Sequence, residues 1–475
     1  MKNLKYIVVL LFIMNSSCKK DFLEIDDTTQ LYRESYVKDL TTMQEYVRGA
    51  YYYLSVNVDA GESNSTYPEL TADNLRPINQ TSSAATLSHY NWVQEAVVSA
   101  AKNMNTFWKN SYLTIRMCSF AVDKTDEFRS EDPEWADNIK GQAYAVRALL
   151  YFKLINVFSQ PYTFTADASH PGVPYITTSD ITQSYSRQSV DEVYEGMITD
   201  LLKAIELLPE TVTDNRYMNR VAARALLARV YLFKEDFANA KKLAEEVVEQ
   251  APLMTIAAGY PDDMFRFKTP STTETLFQLV PNSSNAFNRW VRRSPIKFSA
   301  TKDIADMLLE YPNDVRKSWV KDTTISGSKY QLVKKYPIAV TPDIPTLTAP
   351  DLAYYKPELR SSEMVLTAAE AAAKTGDEPK ARTYLNAIRK RANPTIADVT
   401  AAGAALLDSI YKERRKELSF EGLRIYDLQR WKTGVTRIDV LAGTPGKLPY
   451  ADNKAIAPIP MDETRLSGIS QNDGY

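Results

Sequence analysis

At 475 residues, with 44% apolar and 11% aromatic side chains, the chain is long enough to bury a large core without disulfides. Its 57 Lys and Arg against 59 Asp and Glu leave a net charge of -2, spread along the chain rather than gathered into basic tracts, which argues against nucleic acid as a partner because duplex binding rests on clustered cations. Two cysteines, Cys18 and Cys118, and two histidines, His89 and His170, argue against a disulfide framework, a zinc site and a histidine-based triad, so no cofactor and no metal is expected.

The chain opens on a leader. Lys2 and Lys5 are followed by an apolar run from Tyr6 to Met14, and Asn15-Ser16-Ser17 then leads into Cys18. The run is less than half of the roughly 20 residues a spanning helix needs, so residues 1–17 read as a signal peptide. Met14-Asn15-Ser16-Ser17-Cys18 resembles a bacterial lipobox, in which the Cys18 thiol is the nucleophile that becomes acylated. An ordinary cleaved leader with a coincidental cysteine is the competing reading. Several acyl chains at about 0.8 kcal/mol per buried methylene would hold the protein on a membrane. Residues 18–35 form a charged tether, and its acidic residues resemble export signals of surface lipoproteins.

Apolar positions recur at helical spacing over Tyr36–Leu54, Asn105–Phe128, Ile139–Val157 and Val190–Leu208. Between the first two lies Asn57–Ala85, rich in Ser, Thr, Asn and Pro, which reads as a long loop containing Asp73. Ala222–Val248 carries tetratricopeptide spacing, with small residues where two helices approach, and Ala368–Ile388 repeats it around Gly376. Such pairs bury their apolar faces only by stacking. The fold class expected is therefore mainly α, a tetratricopeptide-like scaffold of helical pairs. Residues 251–360 are punctuated by prolines from Pro252 to Pro357, which precludes long helices. They form a large irregular, loop-rich insertion, the place where a rigid frame carries recognition. Residues 36–475 read as one domain.

A last helix is expected from about Leu406 to Trp431, with Glu421, Arg424 and Asp427 forming a charge ladder along it. Two carboxylates invite a glycosidase reading, for which they would stand about 6.5 to 9.5 Å apart across a cleft. Carboxylates interleaved with arginines fit a partly buried ion-pair network better, since a nearby Arg lowers a carboxyl pKa instead of raising it toward that of a general acid.

In that segment, together with Leu359–Leu366, Ala369-Glu370-Ala371, Leu385–Arg389, Ala148–Phe152, Gly172-Val173-Pro174 and the ending Ile459-Pro460 through Tyr475, the chain resembles the SusD/RagB family of nutrient-binding outer-membrane lipoproteins. The resemblance spans nearly the whole chain. It departs at Ser467-Gly468, where the family often has Asn-Pro, and in the single Gly before Val173-Pro174. It implies four tetratricopeptide-like units docked as a lid on a TonB-dependent, SusC-like transporter. It also implies a non-catalytic cell-surface lipoprotein that captures oligosaccharide or, in some members, peptide.

Sugar rings stack on flat aromatic faces, so the ligand candidates are loop aromatics: Trp92 and Trp290, then Tyr260 and Trp319, with Asp73 as a hydroxyl partner. Each ring could instead pack a core, and Asp73 could cap a turn. Arg289, Arg292 and Arg293 beside Trp290 would favour an acidic glycan, or be a solvated run. A surface glycoside hydrolase and a cytoplasmic repeat scaffold are the competing functions. An export signal and the lack of a convergent catalytic set favour binding.

Overall fold

The computed structural model describes residues 33–58, 62–78, 84–96, 104–180, 182–210, 214–265, 274–280, 298–325, 327–336 and 354–475. Cys18 and Trp290 lie outside the described residues, as do Arg289, Arg292 and Arg293.

After a first turn, α1 (Arg33–Tyr36), helix α2 (Leu40–Tyr53) starts from a capping box in which Asp39 and Thr42 satisfy each other's orphan groups. Two further helices, α3 (Glu62–Leu70) and α4 (Ala84–Tyr90), flank strand β1 (Leu75–Pro77). The scaffold proper follows: α5 (Asn105–Lys124), α6 (Pro133–Phe158) and α7 (Val190–Leu207), then α8 (Arg220–Lys234) and α9 (Phe237–Gln250). Pro133 supplies the first residue of α6 behind the Asp132 cap, and Ser189 with Glu192 forms a capping box for α7. Consecutive members pack on one another: α2 on α5, α5 on α6, α6 on α7, α7 on α8, and α8 on α9.

Small residues set the closeness of these packings. Ala222, Ala225 and Ala228 of α8 and Ala240 and Ala244 of α9 are fully buried, and the two helices turn back on each other through a left-handed Glu235 and the cap Asp236. Beyond the insertion, α11 (Ser361–Lys374) and α12 (Glu378–Ala392) form a second hairpin about Gly376, whose φ of +84 suits glycine. Helix α11 also packs on α9, so the row of helical pairs is continuous, and the chain is mainly helical as expected. Among the described residues no helix is long and apolar enough to cross a membrane.

The insertion is irregular, as its prolines require. Its longest described helix is α10 (Lys302–Leu309), and its strands are β2 (Thr275–Leu279), β3 (Phe298–Ala300), β4 (Val320–Ile325), β5 (Ser328–Val333) and β6 (Lys356–Arg360). They make a sheet of order β1-β3-β5-β4 and a separate β2-β6 pair, both antiparallel.

Two expectations need correction. The stretch 57–85 is not one loop, because it holds α3 and β1. Tyr67, Glu69 and Leu70 are buried there, so packing overrides a composition that reads as loop. The expected helix from Leu406 to Trp431 is two: α13 (Gly403–Glu417) and α14 (Arg424–Arg430), broken by positive φ at Phe420 and Gly422. The chain closes with β7 (Val435–Thr436), β8 (Lys447–Leu448) and α15 (Met461–Leu466).

Candidate functional site

Because α13 and α14 are separate, the expected charge ladder does not form. Each of its members pairs elsewhere. Glu421 takes Lys335 Nζ at 2.6 Å and Arg360 Nη2 at 2.6 Å, and Asp427 lies 2.9 Å from Arg414 Nε and 2.8 Å from Arg430 Nε. Arg424 Nε donates to Asp73 at 2.7 Å. The ion-pair reading of this segment holds, with partners drawn from across the molecule. At its centre Glu417, fully buried, accepts from Arg360 (2.7 Å), Arg391 (2.7 Å), Arg316 (3.0 Å) and the Tyr260 hydroxyl (2.7 Å). Burial alone would raise the Glu417 carboxyl, but Arg391, Arg360 and Arg316 outweigh it and hold the group well below the usual carboxylate range. Since Glu274, Arg316, Lys335 and Arg360 belong to the insertion, the network clamps the insertion's strands onto the C-terminal helices.

This clamp accounts for the aromatic candidates. Trp319 is fully buried with Lys335 Nζ 3.8 Å over its ring. Tyr260 is buried with the Arg391 guanidinium 3.8 Å over its own. Trp92 is buried too, donating Nε1–H to the Thr71 carbonyl at 2.8 Å, and the Arg437 guanidinium lies 4.0 Å over it. Each of these rings is buried with a cation of the same chain over it, so none is presented to solvent as a platform for sugar. Asp73 is likewise engaged, by Arg424 and Arg415. Burial would raise its carboxyl, but the two arginines bring it down to about 2. For Trp92, Tyr260, Trp319 and Asp73 the ligand expectation is therefore corrected to a place in the interior.

A roomier concavity lies elsewhere. A cleft of about 460 Å³ opens between α5, residues 174–176 and 183–185, and the C-terminal α15 with the residues after it. Helix α5 supplies Trp108, Lys109, Tyr112, Leu113 and Arg116, a spacing of one, four, five and eight residues that puts them on one face. The floor is rigid. Trp108 packs edge-on against Phe158 at 4.8 Å, and Tyr112 donates its hydroxyl to the Pro174 carbonyl at 2.9 Å. Tyr151 donates to the Ile176 carbonyl at 2.9 Å and Arg147 Nη1 to that of Thr177 at 2.9 Å, so the wall opposite α5 is pinned to the helical scaffold. Tyr175 reaches back to Asp200 at 2.9 Å.

The rim is different in kind. Leu466 is 75% exposed and Leu113 42% exposed, apolar surface that water covers at a cost. Tyr185 is half-buried, its hydroxyl donating to Gln183 Oε1 at 3.2 Å. Lys109, Arg116, Ser184, Glu463 and Ser467 complete the lining with groups able to serve polar atoms of a ligand. None of these residues was among the sequence candidates. The one available signal was the face of α5, where Trp108, Tyr112 and two cations share a stripe, but the other walls come from distant parts of the chain.

Comparison with known proteins follows the same lines. Residues 21–232 match the family model described as "Starch-binding associating with outer membrane", and residues 329–475 match the model of the SusD family. A curated SusD-like protein P2 of Formosa agariphila is 25% identical over the full length of both chains. Among solved structures, a SusD superfamily protein of Bacteroides thetaiotaomicron superposes with a TM-score of 0.80 at 26% identity, covering 92% of this chain and 100% of the other. A candidate sugar-binding protein of Bacteroides vulgatus gives 0.80 at 28% identity, covering 93% and 99%.

Proposed function

This chain belongs to the SusD family, and from that premise we propose that it is a non-catalytic cell-surface lipoprotein that captures oligosaccharide and passes it to a TonB-dependent outer-membrane transporter. The observation that carries the binding half is the α5 cleft, with a pinned aromatic and aliphatic floor and a rim of polar and charged groups. A site of that composition fits sugars, whose C–H faces need apolar contact while their hydroxyls need donors and acceptors. The name of the matching family model and of the Bacteroides vulgatus relative, both referring to carbohydrate, support the ligand class.

Binding without turnover is supported by the state of the carboxylates that first invited a hydrolase reading. Burial would raise Glu421 and Asp427, but Arg360 with Lys335 and Arg414 with Arg430 keep both below their usual range. A general acid needs the opposite shift. In this proposal residues 1–17 are removed, Cys18 carries the lipid, 18–35 are the tether and 36–475 are a single SusD-like unit at the outer membrane, facing the exterior.

The test uses the mature chain on a panel of oligosaccharides and peptides, with Tyr185→Ala beside the wild type, and a pull-down with the transporter encoded beside it. Oligosaccharide binding that Tyr185→Ala weakens at least several-fold, with co-purification of the transporter, is the expected result. Binding of peptides alone, or of nothing, would overturn the ligand class, and a chain that never incorporates labelled fatty acid at Cys18 would overturn the anchor.

A further inference from the structure

We propose that the α5 cleft selects acidic glycans, oligosaccharides bearing uronate or sulfate groups, through Lys109 and Arg116. The inference rests on the cleft being the binding site and adds the chemical class of what it takes.

Among the described residues most buried cations are matched by a carboxylate, and Arg437 and the half-buried Arg187, which are not, are instead satisfied by backbone carbonyls. The buried guanidinium groups of Arg147, Arg229, Arg316, Arg360, Arg391, Arg414 and Arg430 each face a carboxylate, and so do many surface lysines. Lys109 and Arg116 differ in that, among the described residues, neither has a carboxylate within ion-pair distance and both line a concave site. Cations in a cleft with apolar walls are less screened than on an open surface, so an anion placed there is attracted more strongly.

Their spacing gives the site a shape. Seven residues separate them, two helical turns, so they project from the same face of α5 about 10 Å apart along the axis. Tyr112 and Leu113 lie between them on that face. The helix thus presents a cation, an apolar strip and a second cation in line. A sugar unit seated on the Tyr112 and Leu113 strip would have acidic substituents within reach of a cation at either end. Tyr112 cannot swing away, since its hydroxyl is held by the Pro174 carbonyl.

Across the cleft, Glu463 is, among the described residues, the one carboxylate in the lining. It stands close enough to Tyr112 that its charge, after burial and Tyr151, adds to the rise in that hydroxyl's pKa. It would repel an anionic group on its own side and accept hydroxyls instead, which orients an acidic glycan with its charges toward α5. The described lining holds two cations against one carboxylate, with Asp180 and Asp123 standing outside it near Tyr185, so the positive charge is concentrated along the α5 face.

The experiment is calorimetric titration of the mature chain with tetragalacturonate and with its fully methyl-esterified form, which keeps the rings and removes the charge. Wild type, Lys109→Ala/Arg116→Ala and Tyr185→Ala are compared at about 20 and about 200 mM salt, a range over which screening changes strongly. All three positions are on the rim or on an exposed helix face, so circular dichroism matching the wild type is expected. The acid should bind at least ten-fold tighter than the ester at low salt and lose most of that margin at high salt. The double variant should bind acid and ester alike, at the wild type's ester affinity. Equal affinity for acid and ester in the wild type, or a double variant that keeps the preference, would overturn the acidic selectivity. In either case a loss of both ligands in Tyr185→Ala leaves the cleft standing as the glycan site without the selectivity assigned to Lys109 and Arg116. Ligand binding unmoved by Tyr185→Ala and by the double variant would sink the cleft itself, and failure of both probes to bind would overturn the proposed class.

Discussion

The carboxylate of Glu69, at the end of α3, accepts the backbone N–H of Gly422 at 2.8 Å, across a sequence separation of 353 residues. The same group takes the N–H of Phe420 at 3.1 Å and of Leu423 at 3.3 Å, and the Asn74 side chain donates to it at 2.7 Å. One buried side chain thus satisfies the backbone groups released where α13 ends, and it caps the start of α14.

Glu69→Ala removes the acceptor from the buried N–H groups of Phe420 and Leu423 and the part-buried one of Gly422. An unsatisfied buried donor costs about 1–3 kcal/mol, so a loss of at least about 2 kcal/mol is expected, with Glu69→Gln intermediate because its amide turns a donor toward donors. Denaturant unfolding should show the midpoint falling at constant slope. A change within about 0.5 kcal/mol for both variants would mean the break at Phe420 is held by something else.

The Arg360 guanidinium joins Glu274 (3.1 Å), Glu417 (2.7 Å) and Glu421 (2.6 Å). Arg360→Met leaves these carboxylates undercompensated in the interior and should cost about 3–5 kcal/mol. Arg360→Lys restores the charge without the planar fork and should recover only part of the loss. Equal stability of the Lys variant and the wild type would show that charge, and not geometry, is what the hub requires.

Asp73 gives a pH prediction. Its carboxyl lies at about 2 in the folded chain, below the ordinary 3.8, because Arg424 and Arg415 outweigh its burial. The unfolded chain therefore takes up this proton first as pH falls. The stabilisation is complete above about 4 and disappears as pH drops toward 2, and it is worth about 2 kcal/mol. Asp73→Asn should flatten that part of the acid-unfolding curve, whereas an unchanged acid midpoint relative to a neutral-pH control would contradict the pairing.

Gly196 ties scaffold packing to the cleft wall. A Cβ there would stand 2.5 Å from the Tyr175 ring, the residue that bonds Asp200 and sits within the stretch forming the wall. Gly196→Ala should cost about 1–3 kcal/mol through overpacking and should also lower ligand affinity by displacing residues 174–176. A stability loss with untouched affinity would uncouple the wall from α7.

What could be read in advance follows from range. The helical spacing over Ile139–Val157 and Val190–Leu208 and the small residues of Ala222–Val248 are local signals that name their own structure, and the helical scaffold was legible from them. Helix α3 was not, because Ser- and Asn-rich sequence with an internal Pro68 is held helical by the burial of Tyr67, Glu69 and Leu70. The break at Phe420 depends on Glu69, far back in the chain. The same range defeated the site residues. Nothing near Trp92 announces that Arg437 covers its ring, nor does the neighbourhood of Trp319 reveal Lys335. The cleft is assembled from 108–116, 174–176, 183–185 and 463–469, of which only the first carries a pattern.

A crystal structure of the mature chain with a bound oligosaccharide tests the α5 cleft most directly. Sugar density is expected against Tyr112 and Leu113, between Tyr185 and Leu466. Ordered sugar elsewhere on the molecule with the α5 cleft empty would contradict that placement.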